Sequence, residues 1–153
     1  MSKYVGLWKF HSIGQFSDEG KMVYLTAEEY LKAPMPYIDA SDEDEVAHEM
    51  KERKMTVGGK LKISDDGKIY MMVPLPEGVP QAEIDKAVAA GHIRVEDGMM
   101  LDRKSLAWEE RDGELWYDTG IKGEIMGEKK DGWTKALDDD GFFCLITTRY
   151  VKE

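Results

Sequence analysis

The chain has 153 residues, of which 42% are hydrophobic and 34% are charged. We therefore expect one domain, 1–153, that buries roughly two thirds of its unfolded surface. Its 31 acidic and 21 basic residues give a formal net charge of −10, which repels phosphate backbones and anionic membranes and argues against nucleic-acid binding. The one cysteine, Cys144, excludes an internal disulfide and fits a reducing compartment. No signal peptide or stretch of transmembrane length is visible, so we expect a cytoplasmic protein without membrane insertion.

The chain opens with one predicted strand and a predicted short helix. Apolar and polar residues alternate from Tyr4 to Phe10, which is typical of a half-buried strand. Thr26 and Glu29 have the spacing of a capping box. Pro34 and Pro36 end the helix that this box begins, because proline cannot continue a helix.

Two further helices are predicted from their end signals. Ser41 precedes an acidic first turn, 42–45, and a basic last turn, 51–54, so the charges complement the dipole of the helix between them. A third helix follows Pro80 and stops at Gly91. The predicted helices thus lie in the first two thirds of the chain.

Five Asp-Gly dipeptides predict hairpins, because a two-residue type I′ turn needs positive φ at both positions and matches the strand twist. Repeated hairpins make an antiparallel meander, whose exposed edges favour closure. We therefore predict an all-β fold with two or three short helices, an antiparallel up-and-down β-barrel of about eight to ten strands. The dipeptides are Asp66-Gly67, Asp97-Gly98, Asp112-Gly113, Asp131-Gly132 and Asp140-Gly141.

Two of these turns predict a register and an inward face. A two-residue turn at Asp66-Gly67 places an apolar face on one side of its hairpin, and the turn at Asp112-Gly113 does the same. The first turn pairs Asp65 with Lys68, Ile63 with Tyr70 and Leu61 with Met72. The second pairs Trp108 with Tyr117, Leu106 with Thr119 and Glu110 with Leu115, and on its outer face Glu109 with Trp116 and Arg111 with Glu114.

Both ends of the chain resemble the calycin superfamily. The first strand contains Gly6-Leu7-Trp8, and the last residues, 147–153, include Arg149. The likeness is to lipocalins and, more closely, to intracellular fatty-acid-binding proteins, whose helical lid the first two predicted helices resemble. It implies a calycin-like barrel closed at its narrow end by Trp8, with the Arg149 guanidinium within about 6 Å of the indole.

The resemblance also implies a ligand and its chemistry. That family anchors a ligand carboxylate through an inward Arg-x-Tyr, whereas Arg149 and Tyr150 are adjacent here and point to opposite faces. We therefore expect a small hydrophobic molecule, lipid-like or fatty-acid-like, whose affinity follows apolar area rather than charge. The expected cavity lining is Phe10, Leu61, Ile63, Tyr70, Met72, Leu106, Trp108, Tyr117 and Arg149, and the expected closure residues are Gly6, Trp8 and Arg149.

Two other functions stay open at this point. The ten methionines suit either an adaptable cavity or an ordinary core. A filled barrel would be an interaction module that docks a protein partner through its acidic surface and the outward Trp116. An enzyme acting on a hydrophobic substrate is the third possibility, although the sequence offers no nucleophile paired with a base.

The remaining motifs predict no metal site, cofactor or catalytic residue. His48 begins a zinc-protease-like helix motif, but Glu52 stands where the second histidine is needed. The acidic run 138–140 lacks the spaced ligands of a calcium loop, which favours a solvated turn. His11 and His92 are isolated in the sequence, and Cys144 is expected to be buried and inert.

Overall fold

Ten strands form one curled antiparallel sheet in the computed structural model, which describes residues 2–153. The strands are β1 (Gly6–Phe16), β2 (Met22–Leu25), β3 (Lys60–Ile63), β4 (Lys68–Pro74), β5 (Arg94–Glu96), β6 (Met99–Arg111), β7 (Glu114–Ile125), β8 (Glu128–Lys135), β9 (Phe143–Leu145) and β10 (Thr148–Lys152). The helices are α1 (Ala27–Lys32), α2 (Glu43–Val57) and α3 (Gln81–Ala89).

The sheet is a half-barrel with mostly sequential neighbours. Its strand order is β8-β7-β6-β4-β3-β1-β10-β9, with β2 added to β1 and β5 added to β6. Consecutive strands joined by short turns pair antiparallel, as a meander requires. The predicted all-β, antiparallel, barrel-like architecture with about eight to ten strands is confirmed.

The two edges of the sheet meet at one point near Ala136. Its amide donates to the carbonyl of Leu115 in β7 at 2.9 Å, and its carbonyl accepts from the amide of Cys144 in β9 at 2.8 Å. Leu137 then bridges to Phe143. The half-barrel is therefore drawn together where β8 ends, and Ala136 is fully buried there.

The core fills the half-barrel around Phe143. The Phe143 ring packs edge-on to Trp8, with centroids 6.1 Å apart, and lies 5.4 Å from the Tyr117 ring. The Trp8 indole nitrogen donates to the Tyr4 carbonyl at 2.9 Å, so the buried polar atom is satisfied. The buried cluster consists of Tyr4, Trp8, Leu61, Ile63, Ile69, Leu115, Tyr117, Ala136, Phe143 and Tyr150. We call this part of the molecule the filled end.

The helices begin and end close to the predicted positions. The capping box of α1 is confirmed, since Thr26 and Glu29 exchange hydrogen bonds between side chain and backbone at 3.0 and 3.3 Å. The cap of α2 is Asp42 rather than Ser41, because the Asp42 carboxylate accepts from two amides of the first turn. The helix after Pro80 is confirmed as α3, and Gly91 beyond it has φ +75°, the left-handed conformation that ends helices.

Arg53 ties α2 to α1. It is 1% exposed and the only buried residue of α2. Its guanidinium donates to the carbonyls of Tyr30 and Ala33 at 2.8 Å and of Pro34 at 3.1 Å. Glu49 accepts from its Nε at 3.1 Å, and the Tyr37 hydroxyl lies 3.1 Å from its Nη2. The arginine thus holds the helix pair by hydrogen bonds and charge rather than by apolar packing.

The hairpin at Asp112-Gly113 has the predicted register. Both residues have positive φ, +51° and +80°, as a type I′ turn requires. Across the two strands, Trp108 pairs with Tyr117, Glu110 with Leu115, Glu109 with Trp116 and Arg111 with Glu114. Tyr117 is buried and Trp108 is half-buried against the core.

The predicted register at Asp66-Gly67 is wrong by one residue. The amide of Ser64 donates to the carbonyl of Lys68 at 2.9 Å, which closes a three-residue loop, and only Gly67 has positive φ. Leu61 therefore pairs with Met71, Ile63 with Ile69, and Lys62 with Tyr70. Because a shift of one residue exchanges the two faces of a strand, Met71 points inward in place of Met72.

Candidate functional site

Most of the predicted lining residues lie in the filled end. Leu61, Ile63 and Tyr117 belong to the buried cluster, and Leu106 and Trp108 pack against it. Phe10 is half-buried and pairs with Tyr150. These side chains are brought together as expected, but they pack against one another. Their contact with a ligand stays a prediction.

The predicted inward direction of Tyr70 and Met72 is wrong. In the structure both side chains lie on the outer face of β4. The Tyr70 hydroxyl donates to the Asp66 carboxylate at 3.0 Å, and the Arg94 guanidinium lies 5.5 Å from its ring. Met72 is fully buried but pairs with Lys60 in β3 and with Leu101 in β6. The loop at Gly67 explains this outcome. It has three residues instead of two, so the pairing of β3 with β4 shifts by one residue and each side chain of β4 lies on the face opposite to the predicted one.

The predicted contact of Arg149 with Trp8 is wrong. Tyr150 lies in the buried cluster with Trp8, and its neighbour Arg149 points to the other face of β10. The Arg149 guanidinium lies 4.3 Å from the Tyr24 ring and 4.5 Å from the Phe142 ring. Trp8 instead packs against Phe143. Arg149 is therefore neither the closure residue nor an inward anchor.

Arg149 is committed to an ion pair on the outer face. Its Nη2 lies 2.7 Å from the Asp138 carboxylate. Burial alone would raise the pKa of Asp138, but hydrogen bonds from the Phe142 amide and from Arg149 outweigh it and lower the pKa below its ordinary value. Burial and the neighbouring Asp138 raise the pKa of the Cys144 thiol, which disfavours the reactive thiolate.

A cavity of about 360 Å³ opens at the other end of the half-barrel, which we call the open end. There β4 finishes, the turn between β9 and β10 passes, and the last turn of α2 lies alongside. Its apolar lining side chains come from four elements and one turn. The lining consists of Met55, Met71, Val73, Leu145, Ile146 and Tyr150, together with Glu52, Thr56, Gly59, Thr147 and Thr148.

Tyr150 joins the filled end to this cavity. It is 4% exposed, belongs to the buried cluster and also lines the cavity. Burial raises the pKa of Tyr150 to about 12, so the phenol stays protonated near neutral pH.

The sequence does not indicate this cavity, because the residues that line it depend on the actual length of the hairpin loop at Gly67. Met71 and Val73 face inward only once the Gly67 loop holds three residues. Leu145 and Thr148 meet across a two-residue turn at Ile146, which has φ +57° and carries no glycine signal. The ten methionines were the one available hint, since two of the lining residues are methionines.

His48 and His11 do not line this cavity. The His48 ring nitrogen lies 4.0 Å from the Glu52 carboxylate, and both side chains are exposed. His11 stacks on the Phe142 ring at 4.0 Å, on the outer face. Within residues 2–153, no cluster of three or more His, Cys, Asp or Glu side chains could hold a metal ion.

Trp116, the outward residue of the interaction hypothesis, is half-buried. The Arg111 guanidinium lies between two indoles, 4.9 Å from the Trp116 ring and 5.0 Å from the Trp133 ring. The Lys135 ammonium lies 5.9 Å from the Trp116 ring. The tryptophan is thus covered by cations of its own chain, and its docking of a partner stays a prediction.

No helix in the described part of the chain is both long and apolar enough to cross a membrane. The calycin resemblance is carried by the residues at the two ends of the chain, and it stays a prediction. Comparison with protein-family models, with curated proteins and with solved structures found no match to this chain.

Proposed function

We propose that the protein binds a small, uncharged hydrophobic molecule in the cavity at the open end. The observation that carries this proposal is the cavity itself, about 360 Å³ in volume and lined mainly by Met55, Met71, Val73 and Leu145. That volume lies within the range of small-molecule sites, which runs from about 300 to 1,000 Å³. Methionine side chains adapt to ligands of different shape because they are unbranched and polarizable.

The charges around the cavity favour a neutral ligand. Glu52 is the one charged side chain in the lining, and Arg149 is held on the outer face by Asp138. A carboxylate would therefore meet no cation and would be repelled by Glu52. Affinity should rise by about 0.8 kcal/mol for each buried methylene until the cavity is full.

One neutral polar group on the ligand would be recognised. Tyr150, Thr147 and Thr148 supply hydroxyl groups to the lining, and hydroxyls both donate and accept. Small-molecule sites combine apolar walls with a few such groups that fix orientation. We expect alcohols or carbonyl compounds to bind more tightly than alkanes of the same length.

Methionine-methyl NMR with a series of 1-alkanols tests the proposal. Met71 reports on the cavity, and Met126, which is 100% exposed, is the internal control. We expect the Met71 signal to move with increasing alkanol length while the Met126 signal stays in place. If the Met71 signal is unaffected by every member of the series, the proposal is wrong.

A cavity-filling variant provides the matched comparison. Val73→Trp should fill the cavity and abolish the alkanol response, whereas Val79→Trp, at an exposed loop position outside the lining, should bind as the wild type does. Val73→Ala keeps the cavity open and should still bind. Unchanged binding by Val73→Trp, with its core signals intact, would place the ligand elsewhere.

A further inference from the structure

The strand β2 presents an uncharged, apolar edge of the sheet. Within residues 2–153, four strands have a strand neighbour on one side only, and they are β2, β5, β8 and β9. Charged side chains on such an edge hinder its pairing with another chain. β5 carries Arg94 and Glu96, β8 carries three lysines, and the far side of β9 is joined to Ala136 by a hydrogen bond. β2 has none of these protections, and we call Met22–Leu25 the β2 edge.

The hairpin of β1 and β2 also exposes large apolar side chains side by side. Phe16 is 73% exposed, and Met22, Val23 and Tyr24 are each about 40% exposed. Phe16 and Met22 are paired directly across the hairpin, so the exposed side chains are neighbours. Single apolar residues on a surface are ordinary, whereas a contiguous group of them marks an interaction surface.

Two residues of β2 direct their backbone groups away from β1. The amide of Ser17 donates to the carbonyl of Lys21 at 2.8 Å, so the backbone of Lys21 faces β1. These directions alternate along an antiparallel pair, and Met22 and Tyr24 therefore turn their N–H and C=O groups to the free edge. Within residues 2–153 no other strand pairs with that edge. Its backbone groups are thus available to an added strand.

The β2 edge is ordered before any partner binds. The Tyr24 side chain lies over Gly14 of β1, where an added Cβ would be 3.3 Å from the ring. The Arg149 guanidinium lies 4.3 Å from the same ring. A side chain that is already fixed loses less conformational entropy when a partner docks.

A second copy of the chain is complementary to this edge. A two-fold axis perpendicular to the sheet at Val23 pairs Met22 of each copy with Tyr24 of the other copy. The outward N–H and C=O groups of both residues then form hydrogen bonds, two in each pair. The methionine sulfur meets an aromatic ring in each pair, which is a favourable contact. Val23 lies opposite Val23 of the second copy, so apolar side chains meet apolar side chains throughout.

The charges at the two ends of β2 also fit a second copy. In the same register, Lys21 lies opposite Leu25 of the second copy, next to the acidic first turn of its α1, Glu28 and Glu29. Two chains that each carry a net charge of −10 repel one another unless opposite charges meet at their contact. The two-fold axis repeats this contact of a lysine with an acidic turn, so it occurs twice in the pair.

We propose that two copies of the chain pair through β2 to form an antiparallel, two-fold symmetric dimer. The sheet of one copy continues into the sheet of the other at Val23. Because each copy uses the same edge, the contact is complete with two chains. The open-end cavity has no residue of β2 in its lining, so the dimer does not depend on the ligand proposed above.

Sedimentation velocity of the full chain over a series of concentrations tests the proposal. We expect the mass to rise from 17.4 kDa toward twice that value. Val23→Lys should weaken the dimer at least tenfold, because it sets two ammonium groups opposite one another at the axis. The matched control Val88→Lys changes a valine of equal exposure, 43%, on α3 and should dimerise as the wild type does.

Two outcomes of this series would overturn the proposal. One is a mass that stays at 17.4 kDa up to about 1 mM protein. The other is a dimer that Val23→Lys and Val88→Lys weaken equally, which would mean a general effect of charge. Circular dichroism of both variants shows that each is folded.

A disulfide cross-link tests the register without adding charge. At the axis the two Val23 residues form a pair without hydrogen bonds, whose Cα atoms are about 4.5 Å apart, within the range of a disulfide. In a Cys144→Ala background, Val23→Cys should form a covalent dimer under mild oxidation at least tenfold faster than Val88→Cys. Equal rates would refute pairing through β2. The alkanol response of Met71 is measured separately, so either proposal can fail without the other.

Discussion

The filled end and the open end of the half-barrel are built from the same strands but are packed differently. At the filled end, rings from β1, β7 and β9 meet at Phe143, and the sheet edges join at Ala136. At the open end, β4 contributes Met71 and Val73, and Tyr150 is the one aromatic residue among the lining residues that the structure describes. Stability is therefore concentrated at one end, which leaves room for a ligand at the other.

The two ends also differ in the kind of interaction that holds their elements in place. Core elements at the filled end are joined by apolar contacts, whereas the buried residue of α2 is a charged one, Arg53. Hydrogen bonds to carbonyls fix the position of a helix without filling the space beneath it. The open end can thus be bordered by an ordered helix and still contain a cavity.

The largest expected effect is at the filled end. Phe143→Ala removes the ring that contacts both Trp8 and Tyr117 and leaves a void at the centre of the core. The free energy of unfolding should fall by about 4 kcal/mol, in the range of large core truncations. Urea denaturation followed by circular dichroism measures this loss.

The neighbouring residue provides the control for this prediction. Phe142→Ala removes a ring that stacks on His11 on the outer face and should cost much less. Equal losses for the two variants would show that the filled end does not dominate stability.

The second effect tests how the helices are held. Arg53→Met keeps most of the side-chain length but leaves the carbonyls of Tyr30, Ala33 and Pro34 without their donor. The free energy of unfolding should fall by about 3 kcal/mol, because unsatisfied buried groups keep their desolvation cost. Hydrogen exchange should accelerate in α1 before it does in β3 or β7. Uniform acceleration across the chain would contradict the distinction between the two ends.

The third effect is alkaline destabilisation through Tyr150. Its pKa is raised to about 12 in the folded state by burial, from 10.0 when it is exposed. The folded form therefore holds the proton more tightly, so the stability is fully present below pH 10 and is lost as pH rises toward 12. Two pKa units correspond to roughly 3 kcal/mol.

Denaturation of Tyr150→Phe between pH 9 and pH 12 checks this assignment. The variant has no phenol to ionise at this position, so its stability should fall less steeply than that of the wild type. Identical slopes would mean that other groups cause the alkaline loss.

The Asp-Gly turns show what the sequence could and could not predict. Asp97-Gly98 and Asp112-Gly113 are two-residue turns with positive φ at both residues. Asp66-Gly67 and Asp140-Gly141 end three-residue loops in which only the glycine has positive φ, and both follow a further aspartate. A glycine in the left-handed region suits either loop, so the dipeptide does not predict the length of a turn. The predicted hairpin at Asp131-Gly132 is wrong, because this dipeptide lies inside β8 at an irregularity in its pairing with β7, and the turn between the two strands is at Met126-Gly127.

The unknown length of the turn at Asp66-Gly67 is the reason that the residues lining the cavity could not be predicted. The predicted fold class needed only the existence of the turns, whereas the inward face of β4 needed their length. Met71 and Met72 are adjacent and chemically identical, so nothing local indicates which one faces inward. The position of Arg149 could not be predicted either. Its ion-pair partner Asp138 belongs to the acidic run 138–140, for which the sequence predicts a solvated turn rather than a partner for a strand residue.

The smallest expected effect is at the open end. Leu145 packs against the core but also lines the cavity, so Leu145→Ala enlarges an existing space instead of creating a new one. We expect a loss of about 1 kcal/mol, compared with about 3 kcal/mol for Leu61→Ala at the filled end, because the cost of such truncations grows with the cavity they leave. Urea denaturation of both variants measures the difference.

Leu145→Ala should also change the length of ligand that the cavity accepts, while the fold stays the same. In the alkanol series, affinity stops rising once the cavity is full, and Leu145→Ala should move that limit to longer chains, because each further methylene then finds apolar wall to bury against. Leu61→Ala opens space away from the cavity lining and should leave the limit where it is in the wild type. A limit that moves equally in both variants, or in neither, would mean that ligand size is not set at the open end.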